Sequence, residues 1–401
     1  MNTLRSSVRD RALPRLTPLA CLLGLCLAGG CGDETGTSDY EAGKAAYEAR
    51  DLKKAEKMLG RSVEANPDNV DAQLRLARVK IDVAELSAAE EAVSKAVQLA
   101  PDDVDVKLTA AEVAWHRKDY KKARELFLQV ANDATLDASV RAQGWAGAGV
   151  VEMAGDEMAG DEPHLARVDF LRALLLDWKN ASARYHLGLL YRDGIDRGGL
   201  SYPEAALEQF EIFVRLDSSA SPRVQKVQNS IIKGLKDSIA RAASDRPGAS
   251  VRDSAKCSAE IRTADAALAK GKVAEALQHY RAAAQADPLS YPAAFGLAQC
   301  WQKTPPSKKG EANPLARAFE CYKTACSLSP SKVKTFLQAG ELAMKLGYPA
   351  QAVEIYSRAV AADPMKLDSI DGLIRALNKT GRSSVARAYQ QYRDAVVAKR
   401  K

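Results

Sequence analysis

Between Phe336 and Pro364 the apolar positions recur with a helical period. Phe336, Ala339, Gly340 and Ala343 fall at i, i+3, i+4 and i+7, one stripe of a helix. Gly347 breaks the stripe, as a residue free to take positive φ does at a helix end. Pro349 suits the first turn of a new helix, where its missing N–H costs nothing. Ala352, Tyr356 and Ala359 form a second stripe, which Asp363 and Pro364 stop. The pattern predicts two antiparallel helices. Small residues let them approach closely, and Phe336 and Tyr356 fill the space between neighbouring pairs. One pair this short cannot bury both of its faces, so it needs copies on either side.

The copies are present. Pro330 and Pro364 are 34 residues apart, and so are Pro67 and Pro101. Ala55, Leu59 and Pro67 return as Ala89, Val93 and Pro101, then as Ala123 and Phe127. The series runs on through Ala166, Phe170 and Ala173, through Ala206, Phe210 and Phe213, and through Ala276, Tyr280, Ala283 and Pro288. It then reaches Ala318, Tyr322, Ala325 and Pro330. First helices carry a matching signal, clearest in Leu187, Gly188 and Tyr191. The register fails after Ser221-Pro222, where Val227, Ile231, Leu235 and Ile239 instead mark a non-repeat helix over 223–243. Ser244 to Ser250 then reads as a linker. The expectation is roughly eighteen repeat helices plus this one, with no strand pattern anywhere.

This period, with its small, aromatic and proline positions, resembles the tetratricopeptide repeat (TPR) family over residues 38–400. The resemblance implies an all-α, right-handed superhelical solenoid of antiparallel helix pairs with about nine repeats. The linker divides it into two sub-arrays, an N-terminal array over 38–246 with its closing helix and a C-terminal array over 257–401 with a capping helix. In proteins similar to this one the first helices line a concave groove that receives a partner. Carried over by register, the groove positions are Leu74, Arg78, Ile81, Leu108, Trp115, His116, Tyr185, Leu189, Arg192, Trp301, Leu337 and Met344. The family's lysine and asparagine clamp for a C-terminal carboxylate has no counterpart at matching positions.

The chain before the repeats has another character. Arg5, Arg9, Arg11 and Arg15 precede an apolar run from Leu19 to Leu27, and Ala28-Gly29-Gly30 leads to Cys31. Residues 1–30 therefore read as a secretory signal peptide. Its ending resembles the bacterial lipoprotein motif, which implies a diacylglycerol-modified, palmitate-bearing Cys31 at the mature N-terminus. Residues 31–37 then form a flexible tether. Gly32 stands where Asp would retain such a lipoprotein at the inner membrane, so the expected location is the outer membrane, facing the periplasm.

Charge changes the picture in one respect. Residues 31–180 hold 20 Lys and Arg against 29 Asp and Glu, a net −9, whereas residues 181–401 hold 34 against 21, a net +13. Such a division can orient a partner, or draw an acidic protein or anionic polymer to the basic half. The helix bearing Lys226, Lys233 and Lys236 and the loop at Lys308-Lys309 are the expected contributors. No nucleic-acid partner is expected. Beyond Cys31, the repeats hold Cys257, Cys300, Cys321 and Cys326; buried free thiols are the default, and a Cys300 bridge to Cys321 or Cys326 is geometrically conceivable.

Candidate chemistry is sparse. The four histidines, His116, His164, His186 and His279, are far apart, with no pair on one helical face. Met153 to Glu157 is duplicated as Met158 to Glu162, but its carboxylates lack the alternating oxygen ligands of a calcium loop and read as a solvated turn. No phosphate loop or nucleophile elbow occurs. The chain is expected to need no metal or cofactor and not to be an enzyme. What remains is a lipid-anchored envelope scaffold that binds other proteins through the groove, in assembly or secretion of a surface structure. The alternative is an accessory lipoprotein that binds a small ligand or an anionic glycan for transport or polysaccharide export.

Overall fold

In a computed structural model of the chain, the described residues are 34–154, 162–194, 202–216, 221–246, 252–305 and 313–400. Among them every regular element is helical. Nine helix pairs appear: α1 (Glu34–Glu48) with α2 (Leu52–Ala65), α3 (Val70–Asp82) with α4 (Leu86–Leu99), α5 (Val104–His116) with α6 (Tyr120–Asn132), α7 (Ala138–Ala154) with α8 (Glu162–Leu176), and α9 (Ala181–Asp193) with α10 (Pro203–Leu216). After the unpaired α11 come α12 (Ser254–Ala269) with α13 (Val273–Ala286), α14 (Tyr291–Lys303) with α15 (Pro314–Leu328), α16 (Val333–Lys345) with α17 (Pro349–Ala362), and α18 (Leu367–Lys379) with α19 (Ser383–Lys399). Helix α11 is the expected non-repeat helix and is built from Pro222–Lys226, a π-helical stretch Val227–Ile232, and Lys233–Ser244. The fold is thus an all-α solenoid of antiparallel pairs.

Each pair is closed by local chemistry. Between the two helices of a pair, one residue takes the left-handed conformation: Arg50, Ala84 and Lys118 at φ 64–65°, and Gly271, Gly347 and Gly381 at φ 73–79°. The next amide then reaches back to the helix just ended, as Glu85 N–H to the Lys80 carbonyl at 2.8 Å and Tyr348 N–H to the Ala343 carbonyl at 2.8 Å. Between several pairs an Asn or Asp caps the incoming helix; Ser290 does so for α14, and Lys332 and Lys366, before α16 and α18, make no side-chain cap. Asn69 accepts from the Ala72 amide at 3.0 Å, and Asp103 accepts from the Val106 amide at 3.0 Å.

The chain divides into two compact units, residues 1–186 and 187–401. In the first, the repeated alanines Ala55, Ala89 and Ala123 are fully buried, and Phe127 and Phe170 fill the gaps beside Gly147 and Gly149. In the second, Tyr280, Tyr322, Tyr356 and Tyr389 occupy the aromatic position and are buried. Glycine is required where they pack, since a Cβ on Gly296 would overlap the Tyr280 ring, and one on Gly372 would overlap Tyr356.

The expected tether over 31–37 overlaps α1, which begins at Glu34; the Ser62 hydroxyl donates to the Gly36 carbonyl at 2.9 Å in a buried bond. The boundary between the units falls at residue 187, and most of the expected linker Ser244–Ser250 lies outside the described residues. Arg246 donates to the Ser327 carbonyl at 2.6 Å, and the Arg358 guanidinium lies 5.7 Å over the Tyr202 ring. Segments before and after the linker therefore pack within one unit. Residues 1–33 with Cys31, most of the acidic duplication and the Lys308-Lys309 loop lie outside the described residues.

Candidate functional site

The first helices α3 and α5 of the first unit set several expected groove residues side by side. Arg78 on α3 donates to the Thr109 hydroxyl at 3.1 Å and lies 3.8 Å from the Glu112 carboxylate, both on α5. Burial pushes the Glu112 carboxyl above the usual carboxylate range, with Arg78 opposing the shift. One turn on, the Trp115 indole and the His116 imidazole meet edge to face at 4.7 Å, and both are half-buried. Burial lowers the His116 pKa, which keeps the ring neutral at pH 7, with Asp82 opposing the shift. The Trp115 N–H has no hydrogen-bond acceptor. Ile81 packs against the Ala77–Val93 core from one side. This is a half-buried cluster of one ion pair and two aromatic rings, with the indole N–H turned inward.

Other expected groove residues are interior. Leu74 packs with Ala96 and Val106, and Leu108 with Ala123 and Phe127. Tyr185 and Leu189 are buried as well. Register alone places a residue on a helix to within a neighbouring position, and these four lie inside the packing rather than on an open face. In the second unit Arg192 is held by Asp193 at 2.6 Å and 2.9 Å, so its charge is already paired. Leu337 and Met344 are half-buried on α16.

Trp301 groups elsewhere. It lines an open pocket of about 410 Å³ together with Arg317, Phe319 and Cys321 from α15 and Tyr348 from the turn between α16 and α17. Arg281 on α13 and Arg317 both lie over its ring, 5.1 Å and 4.7 Å from the centroid.

A further cluster went unforeseen. In the first unit Arg124 pairs with Glu152 and lies 3.9 Å from Asp169, while Arg172 covers the Trp145 ring at 4.4 Å. Glu152, Arg167 and Asp169 are buried. Burial pushes the Asp169 carboxyl up to about 7 against the pull of Arg124 and Arg172, and the Glu152 charge adds to the rise. The one sequence signal was three charges interrupting the apolar stripes of α7 and α8. The four repeat cysteines are free, and burial raises the Cys300 thiol to about 11 and that of Cys326 to about 12. Among the described residues no group of three His, Cys, Asp or Glu could hold a metal ion, and no helix is long and apolar enough to cross a membrane.

Profiles of the family described as tetratricopeptide repeat match residues 46–97, 74–137, 261–304 and 333–364. These segments are therefore tetratricopeptide repeats, and the class they support is that of a protein–protein interaction scaffold. No curated protein matches it. Among solved structures, that of Pseudomonas aeruginosa pilF is similar at 18% identity, over 54% of this chain and 96% of that one, with a TM-score of 0.38. MamA from Desulfovibrio magneticus RS-1 is similar at 15% identity, over 47% and 98%, with a TM-score of 0.35. The TPR2AB domain of yeast Sti1, solved as a complex with pHSP90, is similar at 11%, over 91% and 100%, with a TM-score of 0.24. Likenesses this distant carry no argument about what the chain binds.

Proposed function

We propose that this protein is a lipid-anchored scaffold of the bacterial cell envelope that holds other envelope proteins against the first helices of its repeats. The observation that carries the reading is the half-buried polar and aromatic cluster on α3 and α5. Arg78 is held by Thr109 and Glu112, and the Trp115 ring, packed on the Leu108–Phe127 core, meets the His116 ring edge to face. Half-buried apolar side chains beside ordered polar ones are what a bound peptide or helix requires. Leu337 and Met344 supply a comparable, more apolar strip in the second unit. Anchoring rests on the basic start, the apolar run and Cys31 at the small-residue site.

Two measurements test this. Changing Cys31→Ala should move the protein from the membrane pellet to the soluble fraction; unchanged fractionation would sink the anchor. Crosslinking in intact cells should then recover envelope proteins with the native chain and lose them with Arg78→Ala plus Trp115→Ala. Equal recovery with both would refute the surface on α3 and α5.

A further inference from the structure

The pocket around Trp301 is not part of a first-helix groove, because most of its wall comes from the second helix α15 and from the α16–α17 turn. Its floor is apolar, with Phe319 buried, Trp301 half-buried and Tyr348 exposed. Phe319 and Tyr348 rings lie 6.1 Å apart. Of the charged residues, Arg317 and Glu320 line the pocket, and Arg281 and Lys323 stand next to its rings. Arg281 and Arg317 sit over Trp301, and Lys323 sits 5.2 Å over Phe319. Lys323 is paired with Glu320 at 2.9 Å. Arg281 and Arg317 are exposed and, among the described residues, have no carboxylate partner, so their N–H groups are open to a ligand while both stay beside the indole.

Two held, unpaired guanidinium groups beside an open apolar hollow define what fits. The geometry points to a docking site for an acidic linear peptide of a partner protein, with one apolar side chain in the hollow and flanking carboxylates on Arg281 and Arg317. Charge complementarity selects carboxylates, since a guanidinium edge accepts them in a paired, planar hydrogen-bond geometry. A stacked sugar is disfavoured, because the faces on which a pyranose would lie are already covered by cations at Trp301 and Phe319. The site goes beyond the surface on α3 and α5 and requires neither that surface nor a lipid anchor.

The test uses the full chain and fluorescently labelled nonapeptides in which Asp and Glu flank a central Phe or Leu, read by anisotropy. A control set carries Asn and Gln in place of the acids. The acidic peptides should bind and the controls should not. Arg281→Gln with Arg317→Gln should weaken binding roughly tenfold or more, the loss of about one charge-assisted hydrogen bond. Tyr348→Ala should also weaken it, and Trp115→Ala should leave it unchanged. These pocket positions are surface ones, so circular dichroism should be unaltered, and Arg281→Lys with Arg317→Lys should recover part of the affinity. The proposal is overturned if no acidic peptide binds, if the neutral set binds equally, if the arginine changes have no effect, or if an oligouronate binds the pocket in preference to the peptides. Loss of crosslinked partners on Trp115→Ala with intact peptide binding would leave this site standing, whereas the reverse would leave only the first-helix surface.

Discussion

The two units build the same helix pair from different materials. In the first, the left-handed turn position is filled by Arg50, Ala84 and Lys118; in the second, by Gly271, Gly347 and Gly381. The closing hydrogen bonds are equivalent, but a side chain in that conformation costs about 1–2 kcal/mol that glycine does not. The interiors differ as well. The first unit buries Glu152, Arg167 and Asp169 together, whereas the second buries one acid, Asp287, held by Arg252 at 3.0 Å, and a run of tyrosines, of which Tyr322 donates to Gln302 at 2.9 Å and Tyr392 to the Pro364 carbonyl at 3.0 Å. The repeat template fixes where helices lie and leaves open what fills them. A strained, ionic filling makes one unit sensitive to pH and to single charges, while the other is sensitive to volume.

Four tests probe that contrast. Trp115, Trp145 and Trp178 lie in the first unit and Trp301 in the second, so fluorescence of a Trp301→Phe background reports on the first unit alone. The largest effect should come from Arg124→Leu, which removes the cation shared by Glu152 and Asp169 at a cost of about 3–5 kcal/mol. A loss under about 1 kcal/mol in denaturant titration would mean the cluster is not an ionic core.

Next is pH. The native Asp169 carboxyl holds its proton to about 7, well above its unfolded value near 3.8. Its contribution is therefore complete below that unfolded value and is lost as pH rises through about 7. The stability difference between wild type and Asp169→Asn should change by on the order of 2–4 kcal/mol between pH 4 and 8, wild type losing ground as pH rises. A pH-independent difference contradicts the shift.

Smaller is Gly372→Ala, whose methyl meets the Tyr356 ring; overpacking should cost about 1–3 kcal/mol, read from Trp301 in a chain lacking the other tryptophans. Smallest are the turn exchanges. Lys118→Gly should stabilise the first unit and Gly347→Ala should destabilise the second, each by about 1 kcal/mol, and the same sign for both would refute the comparison.

Much of this was legible in the chain. The nine pairs and the odd helix α11 follow from a period and from prolines, which are local signals. The turn difference was visible too, since Ala84 and Lys118 stand where a glycine is usual in such repeats. The interior charges were not legible. A Glu or Asp on a helix reads as solvated until the neighbouring helix is known, and Arg124 reaches Glu152 from 28 positions away. The Trp301 pocket was equally hidden, because its walls come from α13, α14, α15 and a turn, each unremarkable alone. Burial within the expected groove was hidden for a related reason. Leu74, Leu108, Tyr185 and Leu189 are interior, which register alone does not disclose.

The contacts of Tyr202 with Arg358 and of Arg246 with Ser327 bear on how the chain is made. In the first unit the substantial helix contacts join consecutive or next-but-one helices, so each pair can lock as it leaves the ribosome. The segment holding Tyr202 and Arg246 finds distant partners only 156 and 81 positions later. During synthesis α11 can pack on α10, which precedes it, with Lys236 reaching Glu211 at 2.9 Å, whereas Tyr202 and Arg246 must wait for helix pairs still to be produced. A chain halted before Ser327 would thus carry finished early repeats followed by a stretch whose two ends lack their later partners, the part that proteases and holdase chaperones would meet first.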